Sequence, residues 1–364
     1  MKLAKESMRV AVIGAGIAGI TCARRLSDAG HAVQLFDKSR GVGGRLATRR
    51  VDRVEQGLPR TLAFDHGAPA FTARSTAFLR FVGAAAAAGW LARWTPAMAP
   101  GGHAEPPGDA VRWVPVPDMP SLCRRLLGDM PVALCCEVDA LQHDVHGWRL
   151  LGRGATLGRD FDRVVLALPA PQAAGLLLPH RPDWAQQARQ MPMLPCWALM
   201  GAAEPGLEPP DWEAAAPRHG PLAWIARDES KPGRDAAGGL VRWVVQAGAE
   251  WSREHLEAPA PGVQELLQAA LADWLGRPVR WHHAAVHRWR YASVQRQGDA
   301  LSGRCWWDAA AGLGVCGDFL GGAGVEGSWL SARALADTMS VAHAIRLAAA
   351  APRPAEALRA VPPR

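Results

Sequence analysis

The stretch "RVAVIGAGIAGITCARRLSDAGHAVQLFD", residues 9–37, constrains this chain more than any other. A short apolar run suited to a buried parallel strand leads into Gly14-Ala15-Gly16-Ile17-Ala18-Gly19. Ile17, Ile20, Ala23 and Leu26 then recur at helical spacing, Gly30 stops the helix, and a second strand ends on Asp37. Three small positions allow a tight turn, close approach of backbone to a pyrophosphate, and helix-on-strand packing. The exposed N–H groups and the positive helix end suit phosphates. A carboxylate about 20 residues on, here Asp37, is placed for ribose hydroxyls. The pattern reads as a dinucleotide-binding α/β unit; a purely structural glycine turn is the blander alternative.

The chain has 364 residues, more than one hydrophobic core usually serves, so two domains are expected. Residues 132–169 read as strands and turns, and the glycines at 152, 154 and 158 precede a strand rather than a helix. Residues 75–94 open on Ser-Thr and read as helix, and 95–111 as a Pro/Gly-rich loop. From 176 to 285 the texture shifts to dense Pro and Trp, with a strand at "LVRWVVQAG" and a helix at "GVQELLQAALADWLG". The expected fold class is α/β: a Rossmann-type cofactor domain (1–72, 130–175 and 286–347) with an inserted α+β substrate domain of antiparallel sheet plus helices (73–129 and 176–285). Residues 348–364 read as a disordered tail.

Composition excludes some classes. The formal charge is +7, but Arg is spread along the chain and forms no basic stripe, so no nucleic-acid partner is expected. No run approaches the ~18 apolar residues of a membrane span, and the N-terminus lacks a signal-peptide pattern. Seven cysteines with no C-x-x-C pair point to a reducing cytoplasm rather than a disulfide framework. His283 and His287 stand four apart, but they alternate with Trp281, Ala285 and Trp289 as on a strand, so no metal site is expected.

Two further motifs bear on the cofactor. In "KSRGVGGRLATRR", residues 38–50, the glycine pair lets the chain pass close to a phosphate and an Arg can neutralise it. Arg49 and Arg50 read as a solvated basic face. In "GVCGDFLGGAGVEGSWLSARAL", residues 314–335, a strand ends at Gly317-Asp318 and a helix begins near Glu326, Gly327 and Ser328. The R-x-x-G-G-R run (Arg40, Gly43, Gly44, Arg45) and the near-terminal Gly-Asp resemble the FAD superfamily of amine oxidases, phytoene desaturases and renalases. That resemblance implies non-covalent FAD. The implied contacts are Gly14 to Gly19, Asp37, Lys38, Arg40, Gly43, Gly44, Arg45, His66, Gly67, Ala68, Val138, Gly317, Asp318, Glu326, Gly327 and Ser328. Asp318 would hold the ribityl chain, and the helix N-terminus would stabilise negative charge on the reduced ring. Cys316 lies inside the strand and reads as buried packing.

"DHGAPAFTAR", residues 65–74, resembles a renalase segment, as do "VPVPDMPSL" at 114–122, "ARDESKPGR" at 226–234, "EWSREHLE" at 250–257 and "HRWRYA" at 287–292. Pro69-Ala70 depart from the usual form of the first run. The narrower resemblance implies an oxidase that moves hydride from 2- or 6-dihydro isomers of NAD(P)H to flavin N5, with O2 yielding H2O2. His66, Trp224, Arg227, Lys231, Arg234, His255, Trp289 and Tyr291 are candidates for the substrate cavity. The rival readings are an amine oxidase, a desaturase or mutase, and a flavin-bound sensor without turnover. Tyr291 is the only tyrosine and Lys231 the only lysine beyond residue 38, which weighs against an amine oxidase.

Overall fold

The β–α–β pattern at the N-terminus folds as its spacing predicts. In a computed structural model that describes residues 7–55, 58–100, 111–206, 210–235, 239–295 and 304–350, β1 (Arg9–Ile13) feeds α1 (Ile17–Asp28) and β2 (Ala32–Phe36). Ile17, Ile20, Ala23 and Leu26 are all buried on α1. A hairpin follows, β3 (Arg49–Glu55) against β4 (Leu58–Phe64), with Arg49 opposite Phe64.

The helix expected over 75–94 is shorter. Ser75 caps α2 (Thr76–Ala87) by accepting from the Phe78 N–H, and left-handed Gly89 (φ +71°) turns the chain into β5 (Leu91–Trp94). β5 pairs with β6 (Arg112–Pro115), after which α3 (Ser121–Leu127) packs on α1. The strands expected in the next stretch are β7 (Val132–Ala133), β8 (Ala140–Asp144), β9 (Gly147–Gly152), β10 (Ala155–Phe161) and β11 (Arg163–Leu166). Gly152 and Gly154 flank the β9–β10 turn, as expected of glycines with no helix behind them.

Helices α4 (Ala170–Leu177) and α5 (Pro182–Gln190) lead to β12 (Met193–Ala203), then β13 (Ala214–Ala215), β14 (Leu222–Arg227) and β15 (Val241–Ala247). After α6 (Ala249–Glu254) and α7 (Ala260–Leu275) comes β16 (Trp281–Val294). These strands form one antiparallel sheet in the order β13-β14-β15-β12-β16. The expected boundary at residue 286 falls inside β16, whose hydrogen bonds to β12 continue to Val294. The strand cannot change partners midway without losing its ladder, so residues 286–294 belong to this sheet. The chain ends through β17 (Trp306–Asp308), β18 (Leu313–Val315), α8 (Asp318–Gly321) and α9 (Gly324–Ala350). Residues 348–350, expected in the tail, are the last turn of α9; positions 351–364 lie outside the described residues.

The cofactor-type sheet runs β17-β18-β11-β1-β2-β7. Its central strands are parallel, with β1 between β11 and β2, and β18 beside β11. The first and last strands of the described residues, β1 and β18, therefore share one sheet, and α1 packs against α9. One core lies between these helices, α3 and the sheet. Another lies on the opposite face under β9, α4 and α5. A third fills the antiparallel sheet against α7. Among the described residues no helix is long and apolar enough to cross a membrane.

Candidate active site

The glycines of the first turn separate by what surrounds them. Gly14 has φ +106°, and a Cβ there would sit 2.4 Å from the Ala167 carbonyl oxygen. At Gly19 a Cβ would fall 1.8 Å from the Gly14 oxygen. Packing alone demands both. Gly16 is different: its φ and ψ are −82° and −176°, and a Cβ would meet nothing closer than the Gly43 oxygen at 3.8 Å. Nothing within the chain forbids a side chain there. Gly16 is also the N-cap of α1, which has no side-chain cap and no acidic residue in its first turn. An anion drawn to the free N–H groups and the helix dipole fits this bare cradle.

Asp37 ties the cradle to its neighbours. Its Oδ2 accepts from the Ala15 N–H at 2.6 Å and its Oδ1 from the Ser39 N–H at 2.8 Å. The Gly43 N–H donates to the Ala15 oxygen at 2.9 Å, so the two glycine loops lie side by side. Arg45 then reaches across the molecule and binds Asp318 through two parallel hydrogen bonds of 2.7 and 2.8 Å. Residues 273 apart in sequence thus close one wall.

A second wall rises from the "DHGA" turn. The His66 ring stacks on Trp289 (centroids 5.2 Å apart, 29°) and meets the edge of His287 at 4.9 Å. The Trp289 indole N–H donates to the His66 oxygen at 2.9 Å, and Gln246 Nε2 donates to the Gly67 oxygen at 2.6 Å. Burial, with the neighbouring His287 and the Arg49 charge, pushes His66 down to about 4. Burial and Arg49 do the same to His287. Both imidazoles are neutral at pH 7.

Behind this wall lies a buried charge cluster. Asp65 accepts from Thr48 Oγ1 (2.5 Å), from Arg234 Nε (3.0 Å) and Nη2 (2.5 Å), and from Lys231 Nζ (3.3 Å). Lys231 Nζ also lies 2.7 Å from Asp228, whose other oxygen accepts the Asp65 N–H at 2.9 Å. Burial pushes Asp65 up, but Lys231 and Arg234 outweigh it and hold the carboxyl down at about 2. Asp228 goes the other way, raised by burial and by the adjacent Asp65.

One cavity of about 2180 Å³ joins both walls. A single drug-sized ligand needs ~300–1,000 Å³, so there is room for a dinucleotide and a second molecule. Of the residues expected at the cofactor, Gly14, Gly16, Ile17, Ala18, Asp37, Lys38, Arg40, Gly43, Gly44, Arg45, His66, Gly67, Ala68, Val138, Gly317, Asp318 and Ser328 line it. So do Trp289 and Tyr291 from the substrate set.

Other expected residues lie elsewhere. Glu326 uses its carboxylate on the Arg74 and Ser75 N–H groups at the start of α2, and Gly327 is required by the Gly322 oxygen, 1.6 Å from a Cβ. Ala15 and Gly19 are packed inward, and Lys231 and Arg234 are consumed by the Asp65 cluster. Arg227 binds Glu229 and the Pro210 oxygen. Trp224 packs edge-on against Trp94, and His255 stacks on Trp251 at 3.9 Å. Cys316 is fully buried and outside the lining. His287, Gln246, Cys196 and Arg49 line the cavity without having been expected there. The strand alternation that argues against a metal also puts His287 on the face of Trp289; that signal was legible.

The family of NAD(P)-binding Rossmann-like domains matches residues 12–85. A 4,4'-diapophytoene desaturase (4,4'-diaponeurosporene-forming) of Staphylococcus aureus, strain Newman, is 44% identical over 45 residues, 12% of this chain. The matched segment spans 9% of that protein's length. Among solved structures, a protein from Exiguobacterium sp. 255-15 provisionally assigned as a protoporphyrinogen oxidase superposes with TM-score 0.69 and 13% identity, over 92% of this chain and 99% of that one. Cyclohexylamine oxidase from Brevibacterium oxydans IH-35A gives 0.62 and 13%, over 94% and 100%. The fold is that of these oxidase structures. At 13% identity the likeness to these structures is one of architecture.

Proposed function

We propose that the protein is a flavin-dependent oxidoreductase, an oxidase of misplaced dihydronicotinamide dinucleotides that binds FAD non-covalently in the cytoplasm. The observation that carries this reading is the single cavity joining the bare Gly16 cradle to the His66–His287–Trp289 wall. Bound FAD would supply a hydride acceptor at N5 and pass the electrons to O2, giving H2O2. The protein's own part is binding and orientation. The Gly16 turn and α1 would hold the pyrophosphate, Asp37 the ribose end, and Asp318, fixed by Arg45, the ribityl chain. Trp289 and His66 present flat, uncharged rings at the cavity wall against which a planar guest can stack. Loss of hydride from a dihydropyridine leaves an aromatic pyridinium, so no proton need be taken from the substrate. Neutral His66 and His287 suit that chemistry. The antiparallel sheet that carries β16 would be the substrate layer. All seven cysteines are free, which fits a reducing compartment.

An amine oxidase is less well supported. Lys231 is locked between Asp65 and Asp228 and does not line the cavity. The test is anaerobic mixing of the FAD-loaded protein with 2- and 6-dihydroNAD(P), NADPH and a biogenic amine in turn. Rapid bleaching of the flavin band by the dihydro isomers alone is expected. Bleaching only by the amine would overturn the reading, and none by any donor would favour a flavin-bound sensor.

A further inference from the structure

Four arginines stand between residues 40 and 50, and their partners differ. Arg45 is paired bidentately with Asp318. Arg50 is paired with Asp118, which also holds Arg124 and Ser121. Arg40 is exposed at the rim. Arg49 is half-buried, lines the cavity, and its guanidinium makes no hydrogen bond or ion pair among the described residues. It opens β3 opposite Phe64, and the chain reaches His66 two residues beyond Phe64. The nearest carboxylate in that turn, Asp65, is saturated by Thr48, Lys231 and Arg234. The rings beside it, His66 and His287, cannot compensate the charge, because an imidazole carries either no charge or a positive one. His66, nine-tenths buried, also leaves its Nδ1 without a partner among the described residues.

A half-buried guanidinium with no counter-ion is costly unless an anion completes it, and its fork matches phosphate oxygens. We infer that Arg49, with His66 at its side, receives a phosphate group of the substrate, so that the cavity selects phosphate-bearing dihydronicotinamide nucleotides and repels protonated amines. This rests on the proposed dihydronicotinamide oxidation, whose nicotinamide guest carries its negative charge on phosphate. The alternative use of Arg49 is to hold FAD itself.

The FAD-loaded protein is titrated with nicotinamide mononucleotide and with nicotinamide riboside, which differ by one phosphate, and binding is read from perturbation of the flavin absorption. FAD affinity is measured separately by reconstituting the apoprotein. The unaltered protein is expected to prefer the mononucleotide by about tenfold or more, the range of a charge-assisted hydrogen bond. Arg49→Gln should erase that preference and leave FAD affinity within about threefold, and Arg49→Lys should keep part of it. Equal binding of the two probes by the unaltered protein overturns the inference without any variant. So does a preference that survives Arg49→Gln, one that Arg49→Lys leaves at full strength, or a variant that loses FAD instead. If the dihydro isomers fail to bleach the flavin while the phosphate preference behaves as expected, the hydride-donor reading falls and the anion site stands. Bleaching with no phosphate preference removes Arg49 alone.

Discussion

Replacing Lys231 by Met gives the sharpest test of how the "DHGA" turn is held. Lys231 is 2% exposed and lies between Asp228 at 2.7 Å and Asp65 at 3.3 Å. Met keeps most of the volume and removes the charge. Asp65 retains Arg234 and Thr48, but Asp228 keeps only the Asp65 N–H and faces another carboxylate. Breaking a buried pair by removing one partner costs about 3–5 kcal/mol. At about 2.1 cal/mol/K of unfolding entropy per residue, a chain of this length changes Tm by about 1.3 °C per kcal/mol. The expected loss is therefore about 4–7 °C in a calorimetric or fluorescence melt of the FAD-loaded protein. The sign with pH follows from Asp228. Its folded pKa is already raised and rises further without Lys231, so above its ordinary value the folded state binds the extra proton. The variant should lose more stability at pH 8 than at pH 5. Asp228→Asn added to Lys231→Met removes the stranded charge and should recover at least half of the loss. A melt within about 1 °C of the parent, or no recovery in the double variant, would refute the reasoning.

Gly16→Ala should leave the melt of the apoprotein nearly unchanged while weakening FAD binding by about tenfold or more, whereas Gly14→Ala should lower the melt itself; equal effects of the two on reconstitution and stability would remove the cradle argument. His66 and His287 are held at about 4, against an unfolded value near 6.5. The unfolded chain therefore binds more protons between those limits, and stability should be full above pH 6.5 and fall as pH drops toward 4. Melts of His66→Gln and His287→Gln should show a flatter profile over that window than the parent. Asp318→Ala strands Arg45, which it binds from 273 residues away, and should weaken FAD uptake far more than Glu326→Ala, read by flavin fluorescence on reconstitution.

What the sequence by itself determined was local. The strand, turn, helix and acid from Arg9 to Asp37 follow from spacing and from the few residues that can make such a turn. Most residues expected at the cofactor line the cavity for the same reason, since many are backbone positions carried by glycine motifs. Element ends set by a single left-handed residue, as at Gly89, were missed because helix propensity on both sides looks continuous. The substrate side depended on which long side chains find partners across the fold. Lys231, Arg234 and Glu326 look like site residues in sequence, yet each is taken up by a group some 160 to 250 positions away. Arg49 looks like solvated surface, yet it faces the cavity because β3 and β4 set it beside His66. Charge pairing is a property of distance in space, and only the assembled sheets decide which cations are satisfied and which remain for a ligand.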